Sequence, residues 1–217
     1  VQVNVENKSE VTYDIVAPVA WDFIEAEEDV IKAIRGSEAF IFGTLAARQE
    51  TSRNSLLRLL ELVPYKILDV NFRPPFVDQH ITLQLLHHAQ LVKMNHHELA
   101  QISSWFGTAQ NEKEAMRLLQ QKFKLETVVV TRGANGAVVL HNDAFTEHAG
   151  YSVEVEDTIG SGDAFLVTFL RIFLQNGSVA EALDNACLMG ALVATHQGAT
   201  PKISPSEIAA LRETKAS

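Results

Sequence analysis

The chain has 217 residues, 47% apolar and 21% charged, with a formal charge of −9 at pH 7. That is enough apolar material for one sizeable core, and the acidic balance argues against nonspecific nucleic-acid or anionic-membrane binding. One cysteine, Cys187, excludes an internal disulfide and suits a reducing cytoplasm; the most apolar run, Phe165 to Leu174, is too short to span a bilayer, and the start Val1-Gln2-Val3-Asn4 lacks a basic targeting region.

In chain order, Val1, Val3 and Val5, then Val11, Tyr13 and Ile15, alternate with mostly polar residues around Asn7-Lys8-Ser9, the pattern of a two-stranded ribbon. Such a hairpin is marginal alone and needs other strands, from a preceding segment or a second subunit. From Trp21 onward helical and strand periods alternate. A helix is predicted near residues 27–35, a strand at 39–42, a helix near 51–62, a strand at 66–70, a helix near 81–88 and a strand at 90–94. Helices near 98–105 and 113–122 precede a strand at 127–131. The turn Ala134-Asn135-Gly136 then leads into a strand at 137–140, a ribbon is predicted near 151–155, and helices follow at 164–174, near 180–195 and from Pro205. Alternation of this kind implies an α/β fold with a mostly parallel sheet and helices on its faces.

The most informative string is Asp157-Thr158-Ile159-Gly160-Ser161-Gly162-Asp163, which places small residues and an acid where an apolar helix begins. Unpaired N–H groups at a helix N-terminus hold anions, and glycine lets a phosphate approach the main chain. Phosphoryl transfer needs donors around the moving group and an acceptor for the proton of the attacking hydroxyl, a role open to Asp163. A glycine turn whose Asp merely caps a helix is the alternative for a lone Gly-x-Gly-Asp.

Three other strings carry two readings each. Asn95-His96-His97-Glu98 is a capping box by its spacing. Thr131-Arg132-Gly133-Ala134-Asn135-Gly136 reads as a tight hairpin. Asp69-Val70-Asn71-Phe72-Arg73-Pro74 lies just past the C-terminal end of a strand, where open α/β sheets place ligands, or is an exposed turn. The His87-His88 and His96-His97 pairs point to different sides of a helix and read as solvated or capping residues.

The seven-residue string resembles the second signature of the ribokinase-like (PfkB) carbohydrate kinases, usually Asp-Thr-x-Gly-Ala-Gly-Asp, with Ser161 in place of a common Ala. The resemblance extends over nearly the whole chain and implies a ribokinase-like three-layer fold, with residues 1–18 part of a small β lid and 19–217 the core. The family's opening quarter, with its sugar-binding Asp and Gly-Gly motif, has no counterpart before Val1, so the chain reads as a fragment. The resemblance implies an ATP-dependent kinase with Asp163 as base and the Gly160, Ser161 and Gly162 amides as an anion hole. It implies that Asn95 and Glu98 orient magnesium and phosphate through water, that Thr131, Arg132, Gly133 and Gly136 approach the nucleotide, and that Asn185 borders the adenine. Asp157, Ile159 and Gly198 resemble a monovalent-cation site.

Asp-x-Asn-x-Arg-Pro, together with Phe42-Gly43-Thr44-Leu45 and Ala20-Trp21-Asp22, is similar to fructokinase-like members. This makes fructose the expected acceptor and Asn71 and Arg73 its contacts. A keto-deoxy sugar acid or a nucleoside as acceptor, or a noncatalytic nucleotide- or sugar-binding homologue, are the alternatives. The expected partners are the sugar and ATP, without nucleic acid or membrane, and a homodimer through the lid.

Overall fold

The computed structural model describes residues 2–7, 10–107 and 109–216. Two compact units emerge: Val1–Asp14, Thr131–Val139 and Ala144–Ser217 form one, and Ile15–Val130 with Leu140–Asp143 the other. Strands β1 (Gln2–Asn7) and β2 (Glu10–Asp14) pair antiparallel as a two-stranded sheet, as the alternation predicts. Val1, Lys8 and Ser9 of that prediction lie outside the described residues.

Six strands form the main sheet in the order β3-β4-β5-β6-β7-β8: β3 (Ala39–Gly43), β4 (Tyr65–Asp69), β5 (Leu91–Asn95), β6 (Thr127–Thr131), β7 (Ala137–His141) and β8 (Ala144–His148). Strands β3, β4 and β5 run parallel, with Gly43 opposite Asp69 and Asp69 opposite Lys93. Their connections contain α2 (Glu50–Leu60) and α3 (Gln79–His88), so they are the crossovers a parallel pair requires. Central strands buried on both faces must be apolar almost throughout, and Ile67, Leu68, Leu91, Val92, Met94, Val128, Val129 and Val130 are all fully buried.

Helices α1 (Glu28–Arg35), α4 (His96–Ser104) and α5 (Glu112–Phe123) complete the second unit. The side chains of Asp78, Asn95 and Asn111 accept from the third N–H of α3, α4 and α5, which fixes where each begins. Ahead of α1, a 3-10 turn at Ala20–Phe23 buries Asp22, whose carboxylate receives Arg48 Nε and Nη2, each at 2.7 Å. Arg48 also packs its guanidinium over the Phe76 ring, 4.4 Å from the centroid.

The first unit holds α6 (Ser161–Phe173), α7 (Val179–Ala194) and α8 (Pro205–Ala216). Close packing of α6 on α7 depends on Gly190, where a β-carbon would come within 3.3 Å of the Ser161 carbonyl oxygen. Cys187 on α7 is buried.

Two expectations need correction. The ribbon predicted at 151–155 is not a strand: β8 occupies Ala144–His148, and residues 151–155 have no regular structure. Asn142 and Asp143 adopt φ of 46° and 65°, the backbone of a two-residue hairpin turn, so β8 follows β7 immediately. Gly150, at φ 88°, donates its N–H to His148 Nδ1, folding the chain out of the sheet. The helix predicted from residue 164 begins earlier, at Ser161, and so includes the Gly-Asp of the signature.

Candidate active site

The structure gathers the predicted residues into two sets, one in each unit. In the first unit Gly160 is the N-cap of α6, in a left-handed conformation at φ 79°. A β-carbon there would lie 2.2 Å from the Ala199 carbonyl oxygen, so only glycine fits. Asp157 builds the approach: its Oδ1 accepts from Ile159 N at 2.9 Å and its Oδ2 from Gly198 N at 3.1 Å. One carboxylate thereby joins the signature turn to the segment after α7, bringing Asp157, Ile159 and Gly198 together.

No side chain caps α6. Ser161 N–H turns back onto the Thr158 carbonyl at 3.3 Å, while Ser161 Oγ donates to the Gly190 carbonyl at 2.8 Å. Among the described residues, the N–H groups of Gly162 and Asp163 have no acceptor. The Asp163 side chain is exposed, in the first turn of the helix. A carboxylate and two unpartnered main-chain donors therefore stand together at the positive end of a 13-residue helix.

Thr131 ends β6, and the loop to β7 closes with Arg132 N–H donating to the Gly136 carbonyl at 2.8 Å. Gly133 and Gly136 have positive φ, and a β-carbon on Gly136 would come 2.0 Å from the His148 carbonyl oxygen. Only glycine therefore lets this loop lie against the chain leaving β8. Arg132 Nη2 pairs with Glu147 at 3.0 Å. The Asn185 amide donates to the Glu181 carbonyl at 2.8 Å, and its Oδ1 accepts from Arg212 Nη2. Beside it Asp184 accepts from Tyr151 OH at 2.9 Å, from Arg212 Nη1 at 2.9 Å and from His148 Nε2 at 3.1 Å. His148 Nδ1 accepts from Gly150 N–H, so the ring proton resides on Nε2, facing Asp184. Burial first, and then Asp184, pushes the Tyr151 phenol up to about 12.

In the second unit Asn95 ends β5 and caps α4. Asn95 Oδ1 accepts from Glu98 N at 2.9 Å, and Glu98 Oε2 accepts from Asn95 N at 2.8 Å, a reciprocal capping box. Glu98 Oε1 accepts from Phe72 N at 2.7 Å, so this one buried carboxylate ties the Asn95 turn to the segment between Asn71 and Arg73. Asn71 has φ 45°, and Arg73 folds back to donate from Nη1 to the Phe72 carbonyl at 3.0 Å. Burial pushes the Glu98 carboxyl above its usual range, against the pull of the two N–H groups and of Lys93.

Sequence reasoning missed the partner of that network. Lys93 Nζ meets Asp69 Oδ1 at 3.0 Å, both side chains almost wholly buried. The signal was present: a lysine inside Leu91-Val92-Lys93-Met94 needs a counter-charge, and Asp69 lies directly opposite in the parallel register. The Ala199 contact with Gly160 spans too much sequence to be legible. Among the described residues, no helix is long and apolar enough to cross a membrane, and no cluster of three or more His, Cys, Asp or Glu could hold a metal ion.

Residues 16–206 match the model of the pfkB family carbohydrate kinases. A fructokinase of Salmonella typhimurium is 27% identical over 214 residues, 92% of this chain and 68% of the relative. The crystal structure of aminoimidazole riboside kinase from Salmonella enterica, complexed with aminoimidazole riboside and an ATP analog, superposes with a TM-score of 0.75 at 23% identity, covering 91% of this chain and 69% of that one. A double mutant of Vibrio cholerae O395 fructokinase, in a fructose, ADP and potassium ion bound form, gives 0.79 at 24% identity over 97% of this chain and 70% of that one. The chain belongs to the pfkB family of carbohydrate kinases, and its fold is the ribokinase-like α/β fold of these sugar phosphotransferases.

Proposed function

We propose that this chain carries the phosphoryl-transfer site of an ATP-dependent cytoplasmic sugar kinase whose acceptor is the hydroxymethyl group of fructose. The observation that carries the proposal is the uncapped start of α6, with two unpartnered N–H groups and the exposed Asp163 in its first turn. In this reading Asp163 takes the proton of the sugar hydroxyl as that oxygen bonds to the γ-phosphorus and the bond to ADP breaks. The open main-chain N–H groups of Gly162 and Asp163, beside the expected Gly160 amide, hold the negative charge of the moving phosphoryl; Ser161 N–H, expected in the same role, is instead turned onto the Thr158 carbonyl. Gly160 has a fixed part: its missing side chain lets the turn seat against Ala199.

Magnesium carried by ATP supplies charge neutralisation across the phosphates. Both Glu98 oxygens already accept main-chain N–H bonds, which leaves each one acceptor site and fits a role exerted through water, shared with Asn95. Asp157, with the carbonyls of Ile159 and Gly198, is the proposed seat of a monovalent cation. The loop from Thr131 through Arg132 and Gly133 to Gly136, with Asn185, is the proposed nucleotide side, and Asn71 and Arg73 the proposed sugar contacts. The ribbon of β1 and β2, which pairs with no other described strand, is the proposed contact of a homodimer.

Likeness to aminoimidazole riboside kinase supports one second reading, a nucleoside acceptor. A panel of fructose, ribose, a keto-deoxy sugar acid and a ribonucleoside, with ADP release as readout, separates the two. The fructose reading expects the highest kcat/KM with fructose; preference for the nucleoside replaces it, and ATP binding without turnover of any acceptor overturns the catalytic reading.

A further inference from the structure

Arg48 joins three segments of the second unit. Its Nε and Nη2 each donate to the Asp22 carboxylate at 2.7 Å, and Nη2 also donates at 3.0 Å to the carbonyl of Val16, two residues beyond β2. The two side chains are 5% and 0% exposed. A two-pronged bond of this kind fixes both the position of a guanidinium and the plane in which it lies. Over the Phe76 ring, Arg48 Cζ stands 4.4 Å from the centroid.

Phe76 is half-buried and walls a cavity of about 190 Å³ with Thr44, Ile81 and Thr82. Close packing alone therefore does not pin the ring, whereas attraction to a buried cation does. Behind the ring the main chain closes a turn, with Phe76 N–H donating to the Arg73 carbonyl at 2.8 Å. Pro74 and Pro75 have no N–H, so Phe76 supplies the first donor after Arg73 that can close on it. Direct contacts thus run from Val16 and Asp22 through Arg48 and Phe76 to Arg73, all within one unit.

We propose that Arg48 is a positioning residue: fixed by Asp22 and the Val16 carbonyl, its guanidinium seats the Phe76 ring and so holds the Arg73–Phe76 turn, and Arg73 with it, in place. The bearing on catalysis rests on the reading that Arg73 meets the sugar. Arg48 acts there through Phe76 and not by touching the acceptor.

The test uses the intact protein and three variants. Phe76→Leu keeps an apolar side chain and loses the ring, while Phe76→Tyr keeps the ring. Asp22→Asn/Arg48→Met removes the guanidinium together with its counter-charge and leaves an oxygen for Val19 N–H. Amide hydrogen exchange is followed at residue 76, with Val70, whose N–H is held by the Lys93 carbonyl, as reference, alongside KM for fructose and for ATP. For Phe76→Leu and for the double variant, exchange at residue 76 is expected to be faster by about fivefold or more with Val70 unchanged. Fructose KM should rise by a similar factor, with ATP KM within about twofold of wild type. Phe76→Tyr should match wild type in every readout.

A role in filling space alone would leave Phe76→Leu at wild type, so unchanged exchange at residue 76 in that variant overturns the proposal. Equal acceleration at Val70 and residue 76 overturns it too, as does Phe76→Tyr behaving as Phe76→Leu does. Phe76→Leu leaves the ion pair intact, so it decides the matter where the double variant does not fold. Exchange needs no turnover: faster exchange at residue 76 with an unaltered fructose KM upholds the clamp and removes Arg73 from the sugar site.

Discussion

A β-carbon on Gly160 would lie 2.2 Å from the carbonyl oxygen of Ala199, so the turn entering α6 and the segment after α7 fit only because residue 160 has no side chain. The left-handed φ of 79° adds a second reason for glycine. Gly160→Ala is expected to cost at least ~2 kcal/mol in unfolding free energy, from backbone strain of about 1–2 kcal/mol plus the overlap. Gly133→Ala is the control: φ is 60°, but a β-carbon meets nothing within 4 Å. It should cost about 1 kcal/mol. Urea titration of both variants checks the difference; equal costs would contradict the close approach.

The pairing of Arg48 with Asp22 sets an acid limit on stability. Arg48, by its hydrogen bonds first, holds the Asp22 carboxyl below the ordinary aspartate value of 3.8. A depressed carboxylate contributes stability that is fully present above the unfolded value and is lost as pH falls through the lower folded value. Asp22→Asn should therefore destabilise by ~3–5 kcal/mol near neutrality, because Arg48 is left buried without its counter-charge. The difference from wild type should shrink below about pH 3.8. Denaturation midpoints of both proteins between pH 2 and 7 measure it, and a pH-independent difference would refute the linkage.

Glu98 carries the opposite sign. Burial raises its carboxyl above the ordinary glutamate value of 4.5, so its contribution is fully present below that value and lost as pH rises through the higher folded one. Relative to Glu98→Gln, wild-type stability should fall across that interval. Paired midpoints over the same pH series decide the point, and a wild-type advantage that grows with pH would show the two N–H bonds outweighing burial.

These contrasts also show what was legible in the chain. Periodicity gave away β3 to β7 and every long helix, because central strands buried on both faces, such as Val128-Val129-Val130, must be apolar throughout. It failed at β8: Ala144-Phe145-Thr146-Glu147-His148 is half polar, while Tyr151-Ser152-Val153-Glu154-Val155 alternates well but follows a Gly150 that turns the chain away. The glycines and acid of the signature were visible, since a helix N-terminus is a local feature. The Ala199 seat, the Arg48 partner of Asp22 and the Lys93 partner of Asp69 are contacts between distant segments, and composition alone does not pair them.

Two of the three tyrosines should titrate late. Burial, the larger cause in both, lifts the Tyr65 and Tyr151 phenols to about 12, with the charge of Glu126 adding at Tyr65 and Asp184 at Tyr151. These groups favour folding below the ordinary value of 10, an advantage lost as pH rises through about 12. Absorbance at the tyrosinate band should show the Tyr65 and Tyr151 phenols still protonated near pH 11. Tyr151→Phe should remove one of the two late steps, and titration of both phenols near pH 10 would contradict their burial.

The most direct test of the account is turnover of Asp163→Asn in the intact protein. Asp163 is exposed in the first turn of α6, so the substitution keeps the fold and removes only the proton acceptor. The account predicts kcat for fructose lower by about 10²- to 10⁴-fold with ATP affinity and unfolding midpoint unchanged. Wild-type turnover in Asp163→Asn would contradict it.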